Sequence, residues 1–236
     1  MKSILSTKKI TSSQKNLILG AGLSVVEYDA IQIEYVDFEL PDTLENLIFT
    51  SKNAVNAFLN KMSKELKESS GFKSLHSLNA KKLEVQDYKC FCVGPKTEAL
   101  LLENGFKVIN AADNAKELGD FIVDAYKKER FIFFCGESRR AELPQIFKEY
   151  NVDFEEIEVY KTRLNTKIFR QHFDATLFFS PSGVQSFMNQ NTLENTLAVC
   201  IGETTATEAK KHTTNYTTAN ATTIESVIAR AVKALS

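Results

Sequence analysis

Two stretches of this chain carry the same pattern, and that repeat restricts its fold more than any other feature. Residues 49–58 read FTSKNAVNAF and residues 178–187 read FFSPSGVQSF, so that laying Phe49 on Phe178 places Ser51 on Ser180, Val55 on Val184 and Phe58 on Phe187. Each is an apolar run, a turn rich in Ser, Lys, Asn, Pro or Gly, and an apolar pattern restarting at helical spacing. Such a strand, turn and helix start leaves backbone N–H groups and the positive end of a helix dipole at the carboxyl edge of a sheet, where an anion can be held. A second pair follows each: residues 92–100, CVGPKTEAL, match residues 200–209, CIGETTATEA, with Gly94 on Gly202 and Thr97 on Thr205. The same ordered pair in each half of the chain implies two similar domains facing each other.

The length suits that division, since 236 residues fill one large core or two of about 100 residues each. A formal net charge of -1 with dispersed Lys and Arg points to neither nucleic acid nor a membrane surface as partner. Anion binding must then be local. Cys90, Cys92, Cys135 and Cys200 all lie in or beside apolar strand-like runs and form no CxxC pair, which reads as buried reduced thiols rather than a disulfide or metal site. The opening MKSILSTKKITSSQK has no signal-peptide core and no apolar run reaches membrane-spanning length, so a cytoplasmic location is expected.

Along the chain, Ser3–Ser6 is a strand candidate and Thr11, Ser12 and Ser13 offer N-caps to a helix running to about Leu19 and closed by Gly20. Residues 20–22, Gly-Ala-Gly, look like the start of a dinucleotide fingerprint. That motif needs a strand before the glycines and a helix after them, whereas here they end a helix and precede VVEYDAIQI, so the helix-cap reading is preferred. Residues 31–38 and 154–161 are extended and mixed in polarity. They bracket the segment between them as paired strands by which a chain leaves one domain and returns. A strand is expected over 44–49, a solvated helix end and loop over 61–80, and further strands over 89–93, 131–135 and 197–201. Asn114 with Glu117 and Thr222 with Glu225 stand at capping-box spacing. Gly136 to Arg140 makes a third strand-to-helix turn. Alternating strands and helices with turns at the strand ends mean α/β architecture with mainly parallel sheets, twice.

His76, His172 and His212 have no second ligand at metal spacing, and no GxSxG or Walker loop occurs. What remains is a small anionic ligand held where sheet ends and helix N-termini converge. The hydroxyls of Ser51, Thr97, Ser180 and Thr205 suit carboxylates, and they suit helix capping too, the commoner use of Ser and Thr at such positions. Both readings stand on the sequence.

The ordered set FTSKNAVNAF, CVGPKTEAL, FFCGESRRAEL, EVYKTR, FFSPSGVQSF and CIGETTATEA resembles uroporphyrinogen-III synthase, in that family's order and over nearly the whole chain. Where the family begins with a strand running into Thr-Arg-Pro, this chain has Leu5-Ser6-Thr7-Lys8-Lys9, which keeps a positive charge but loses the planar guanidinium fork. The resemblance implies an α/β fold of two similar Rossmann-like or flavodoxin-like parallel-sheet domains, joined by a two-stranded β-ladder, with the active site in the cleft. Domain one would be 1–36 with 162–236 and domain two 37–161, the ladder lying near 31–38 and 154–161. It also implies a lyase that cyclises the linear tetrapyrrole hydroxymethylbilane, inverts the last pyrrole ring through a spiro intermediate, and releases uroporphyrinogen III and water in haem biosynthesis. Neither cofactor nor metal is implied.

On that resemblance Tyr160 is the candidate proton donor to the leaving hydroxyl, the alternative being an amphipathic tyrosine packed in the ladder. Candidate substrate contacts are Ser51, Lys52, Asn53, Thr97, Gly136, Ser138, Ser180, Ser182, Gly183, Thr204 and Thr205. The expected partners are the small-molecule polycarboxylate and, transiently, the preceding hydroxymethylbilane-forming enzyme. A monomer is expected. The rival reading is a non-enzymatic cytosolic two-domain module that binds a small polycarboxylate or other anion, and a phosphate-handling enzyme is the weaker third.

Overall fold

A computed structural model describes residues 1–41, 43–69 and 88–236, with backbone alone for 66–69. The first elements are β1 (Ser3–Ser6), α1 (Ser12–Gly20), β2 (Ser24–Glu27), β3 (Ile31–Tyr35), β4 (Asn46–Phe49), α2 (Lys52–Ser69), β5 (Lys89–Val93), α3 (Pro95–Glu103), β6 (Lys107–Ala112) and α4 (Ala115–Tyr126). Then come β7 (Arg130–Gly136), α5 (Glu142–Tyr150), β8 (Asp153–Leu164), β9 (Ala175–Phe178), α6 (Pro181–Met188), β10 (Leu197–Cys200), α7 (Glu203–Ala209), β11 (Tyr216–Thr218) and α8 (Ile224–Leu235). The loop expected over 71–80, with His76, lies outside the described residues.

Two compact units result: unit 1 is Met1–Gln32 with Thr162–Ser236, and unit 2 is Ile33–Lys161. Unit 1 holds a five-stranded sheet in the order β11-β10-β9-β1-β2, every pair parallel. The other sheet runs β3-β8-β7-β4-β5-β6, with β8, β7, β4, β5 and β6 parallel. On its edge, Val36 N–H donates to Val159 O at 3.1 Å and Asn165 N–H to Ala30 O at 2.8 Å. Partner numbers fall as the chain rises, so β3 and β8 form an antiparallel ladder.

The strand orders become one when the repeat is used to align them. With β9 on β4, β10 falls on β5 and β11 on β6, while β1 takes the place of β7 and β2 that of β8. The two units share one sheet plan and differ in where the chain enters it. In unit 2 the chain passes without a break from α4 into β7, and at the matching place in unit 1 the Lys2 ammonium donates to the Leu235 carbonyl, joining the start of β1 to the end of α8.

Each sheet buries both faces, which is why its strands are almost unbroken apolar runs. In unit 2 one face packs Leu47, Phe49, Cys90 and Cys92 against Val55 and Phe58 of α2 and Leu101 of α3. The other packs Ile48, Phe91 and Phe133 against Leu118 and Ile122 of α4 and Leu143 and Phe147 of α5. Unit 1 repeats the layers, with Phe178 and Cys200 against α6 and α7 on one side and Leu177 and Val199 against α8 on the other.

Local details differ from the sequence reading. The first helix runs through Gly20, and the residue with left-handed backbone is Gly22, φ +74°, because the cap falls one step later, at Ala21. Thr223, not Thr222, caps α8, accepting from Ser226 N–H at 3.2 Å. Asn114 caps α4 as its spacing predicts, but Glu117 reaches back to the N–H of Asp113 at 3.2 Å. The sequence reading passed over β11, whose residues, one exposed and two half-buried, show no apolar alternation.

Candidate active site

The repeated turns superpose in detail. Ser51 Oγ accepts the Ala54 N–H at 3.2 Å while its carbonyl accepts those of Ala54 and Val55, at 3.2 and 3.3 Å. Ser180 does the same for Gly183 at 3.0 Å, and its carbonyl takes Gly183 and Val184 at 3.1 and 3.3 Å. Both serines are therefore helix caps, one of the two readings left open above. Beyond that they diverge. The Ser51 hydroxyl donates to the phenol oxygen of Tyr160 at 3.0 Å, whereas among the described residues nothing receives the proton of Ser180. Gly183 is buried, and a Cβ there would stand 3.3 Å from Ser180 Oγ and 3.5 Å from Thr7 Oγ1. Lys52 is exposed, Asn53 and Ser182 half-buried.

The second pair of turns works without side-chain caps. Gly94 and Gly202 precede α3 and α7, and neither helix start has a side-chain hydrogen bond. Their carbonyls accept from Thr97 and Thr205, at 3.0 and 3.1 Å. Both threonines are buried, 4% and 3% exposed, so they lie inside the first helical turn rather than capping it. Thr204 is exposed. Since a helix start leaves its first N–H groups without intrahelical partners, these glycine-led turns have donors to offer that the serine-led turns have partly committed.

The third turn, at the end of β7, brings Gly136 against Tyr160. A Cβ on Gly136 would meet Tyr160 Cζ at 2.5 Å and its oxygen at 2.9 Å, so only glycine lets the ring lie there. A register shift between Cys135 and Gly136 sets Gly136 opposite Tyr160, and Glu137 N–H donates to Tyr160 O at 3.1 Å. The ring also packs on the core face that holds Phe49, Phe134 and Val159. Tyr160 is thus both a packed tyrosine and one whose hydroxyl sits at the strand ends. Ser138 is exposed on this turn.

Four exposed cations stand near the strand ends. Lys8 follows β1, Lys52 follows β4, Lys96 lies in the first turn of α3 after β5, and Arg140 follows β7; all four are exposed. Among the described residues none has a carboxylate partner. Arg139, by contrast, is paired with Glu156. The sequence reading did not single out Lys96 or Arg140, since only the strand order puts them on the edge that carries Lys52. Thr7 was missed as well: it is buried and its hydroxyl donates to Leu177 O at 2.7 Å, tying the end of β1 to the strand before the Ser180 turn.

The four cysteines are buried and unbridged. Burial pushes the thiols of Cys92 and Cys200 up to about 12, with the Glu98 and Glu203 charges adding, and that of Cys135 up to about 11. Cys90 is raised further by burial and by Cys92. These thiols have no nucleophilic character at neutral pH. Among the described residues no group of three His, Cys, Asp or Glu converges as a metal site, and no helix is long and apolar enough to cross a membrane.

Known proteins match this arrangement. The family described as uroporphyrinogen-III synthase HemD matches residues 13–229. The porphyrin biosynthesis protein HemD of Ruminiclostridium josui is 25% identical over 88% of this chain, which spans only 43% of that protein's length. Uroporphyrinogen-III synthetase from Helicobacter pylori is 22% identical with a TM-score of 0.74, over 99% of this chain and 100% of that one. A mutant uroporphyrinogen III synthase from the extremely thermophilic bacterium Thermus thermophilus is 12% identical with a TM-score of 0.63, over 100% of this chain and 99% of that one. These two likenesses concern the fold. With the repeated turns in family order and the family match running over residues 13–229, the chain belongs to the uroporphyrinogen-III synthase family.

Proposed function

We propose that the chain is a uroporphyrinogen-III synthase, a cyclising lyase of haem biosynthesis that converts hydroxymethylbilane to uroporphyrinogen III and water. The observation that carries this is the duplicated pair of anion-type turns, two on each sheet, with unpaired Lys8, Lys52, Lys96 and Arg140 beside them. The substrate bears acetate and propionate groups on every ring. Many separate N–H, hydroxyl and ammonium contacts can fix such a molecule without a strongly basic protein.

In this reading Lys52, Asn53, Ser138, Ser180, Ser182 and Thr204 are the candidate carboxylate contacts, together with N–H groups of the glycine-led turns. Thr97 and Thr205 are buried behind those turns and shape them. Tyr160 gives its phenol proton to the leaving hydroxyl. The C–O bond breaks, water departs, and the substituted α-carbon of the last ring attacks the azafulvene to give the spiro intermediate. The bond from that carbon to its original bridging carbon then breaks, leaving a second azafulvene, which bonds to the free α-carbon of the same ring. Loss of the proton from that carbon restores the aromatic pyrrole and reprotonates the phenolate. A hundredfold preference for the inverted product requires only about 2.7 kcal/mol of differential transition-state stabilisation, within reach of positioning alone.

The test is turnover. Hydroxymethylbilane is generated fresh by the preceding enzyme, the purified chain is added, and the oxidised products are separated by isomer. Type III product above the protein-free control is expected. Type I product alone, from folded protein, would mean that the scaffold is kept without the reaction, and would put the reading as a polycarboxylate-binding module first.

A further inference from the structure

We infer that Ser51 is a positioning residue for Tyr160, holding the phenol oxygen by hydrogen-bond donation rather than binding substrate itself. The inference rests on the proton-donor role proposed for Tyr160. Ser51 has one proton and two lone pairs. One lone pair takes the Ala54 N–H at 3.2 Å, and the proton goes to Tyr160 Oη at 3.0 Å. The capping bond fixes the serine rotamer, because its acceptor geometry is set by the first turn of α2. With Ser51 as the donor of this pair, the phenol's own proton points elsewhere. That is the orientation a proton donor needs.

Gly136 completes the device. Its missing Cβ leaves room for the ring, which would otherwise be struck at Cζ from 2.5 Å, and the glycine thereby sets the ring's height above β7. The Ser51 bond sets where its oxygen lies. When the phenol gives up its proton, the Ser51 donor faces a phenolate, and a hydrogen bond to a charged oxygen is stronger than one to a neutral oxygen. The bond therefore gains strength in the proton-transfer step, which is where an interaction accelerates a reaction. Ser180 makes the same cap but has no phenol to hold.

The experiment compares Ser51→Ala, Ser51→Thr, Tyr160→Phe and the double variant Ser51→Ala with Tyr160→Phe, each measured for kcat and KM with hydroxymethylbilane. Ser51→Ala is expected to lower kcat about tenfold with KM changed less than about twofold. Ser51→Thr, which keeps both the cap and the hydroxyl proton, is expected to restore kcat. In the Tyr160→Phe background, Ser51→Ala is expected to have no further effect. A raised KM with unchanged kcat in Ser51→Ala would overturn the inference and make Ser51 a substrate contact. Losses that multiply in the double variant would overturn it while leaving Tyr160 as donor. Unchanged turnover in Tyr160→Phe would remove the donor role itself, and with it this inference. Thermal melting of Ser51→Ala and Ser51→Thr separates cap loss from positioning, since a fall in kcat that tracked the folded fraction would also overturn it.

Discussion

The Ser51 turn and the Ser180 turn start alike and end in different chemistry. Both serines cap the helix that follows, with hydrogen bonds of 3.2 and 3.0 Å to the third helical residue. In unit 2 the remaining hydroxyl proton is taken by Tyr160, because β8 continues past Val159 at the strand ends. In unit 1 the matching strand, β2, stops at Glu27, and the next tyrosine, Tyr28, is turned into the core at 5% exposure. A duplicated turn has therefore kept its structural half in both units, while only one unit has gained a phenol. The lesson is that capping does not compete with function here. Capping leaves the hydroxyl proton over, and the neighbouring strand decides what becomes of it.

The sharpest way to break this contrast is to remove the phenol. Tyr160→Phe is expected to slow ring closure about a hundredfold with the fold intact, measured as initial rates on freshly made substrate; unchanged rates would make the two turns equivalent. Gly136→Ala comes next. Its Cβ would press on the ring at 2.5 Å, so we expect a loss of about 1–3 kcal/mol of stability together with slowed closure. A stable, fully active Gly136→Ala would show that the ring has room to move.

Gly183 makes the opposite case, since the repeat places Ala54 of unit 2 at its position and its nearest contact for a Cβ is 3.3 Å. Gly183→Ala is expected to raise stability, by about 0.5–1 kcal/mol for Gly replaced by Ala in a helix, read by denaturant melts. Loss of stability would mean that unit 1 needs the open space unit 2 has filled.

Core polarity offers another comparison. Thr176 in unit 1 falls where unit 2 has Leu47, and its hydroxyl is buried with no hydrogen-bond partner. Thr176→Val keeps the shape and removes that orphan, so stability should rise by about 1 kcal/mol; a fall would reveal a partner for the hydroxyl.

The smallest effect concerns thiols. Cys92 and Cys200, matched by the repeat, both hold their protons to about 12, against an ordinary 9.0. The unfolded chain loses those protons first, so the stability from keeping the thiols neutral is full below pH 9 and declines as pH rises from 9 toward 12. Native protein should resist alkylation at neutral pH, and denaturant-dependent labelling of Cys200 against Cys92 would report which unit opens first.

Much of the fold was legible because its signals are local. An apolar run, a Ser or Gly turn and an apolar helical pattern occupy about ten residues, so the turns at Ser51, Gly94, Ser180 and Gly202 could be placed before any tertiary contact was known. Less visible were features whose partners lie far off in sequence. Thr97 and Thr205 look in sequence like displayed hydroxyls, yet each is buried beneath its own helix start. Lys96 and Arg140 look like ordinary surface charges until β5 and β7 are set on either side of β4.

By itself, then, the sequence determined the architecture of alternating strands and helices, the duplication of two turns, and the residues at their tips, because periodicity and turn chemistry act between near neighbours. Only the tertiary structure decided that the two units share one sheet plan entered at different strands, and at which residues the expected ladder of β3 and β8 pairs. It alone brought Ser51, Gly136 and Tyr160 together. Strand order and register are settled by which apolar faces bury one another across the whole chain, and no local pattern contains that information.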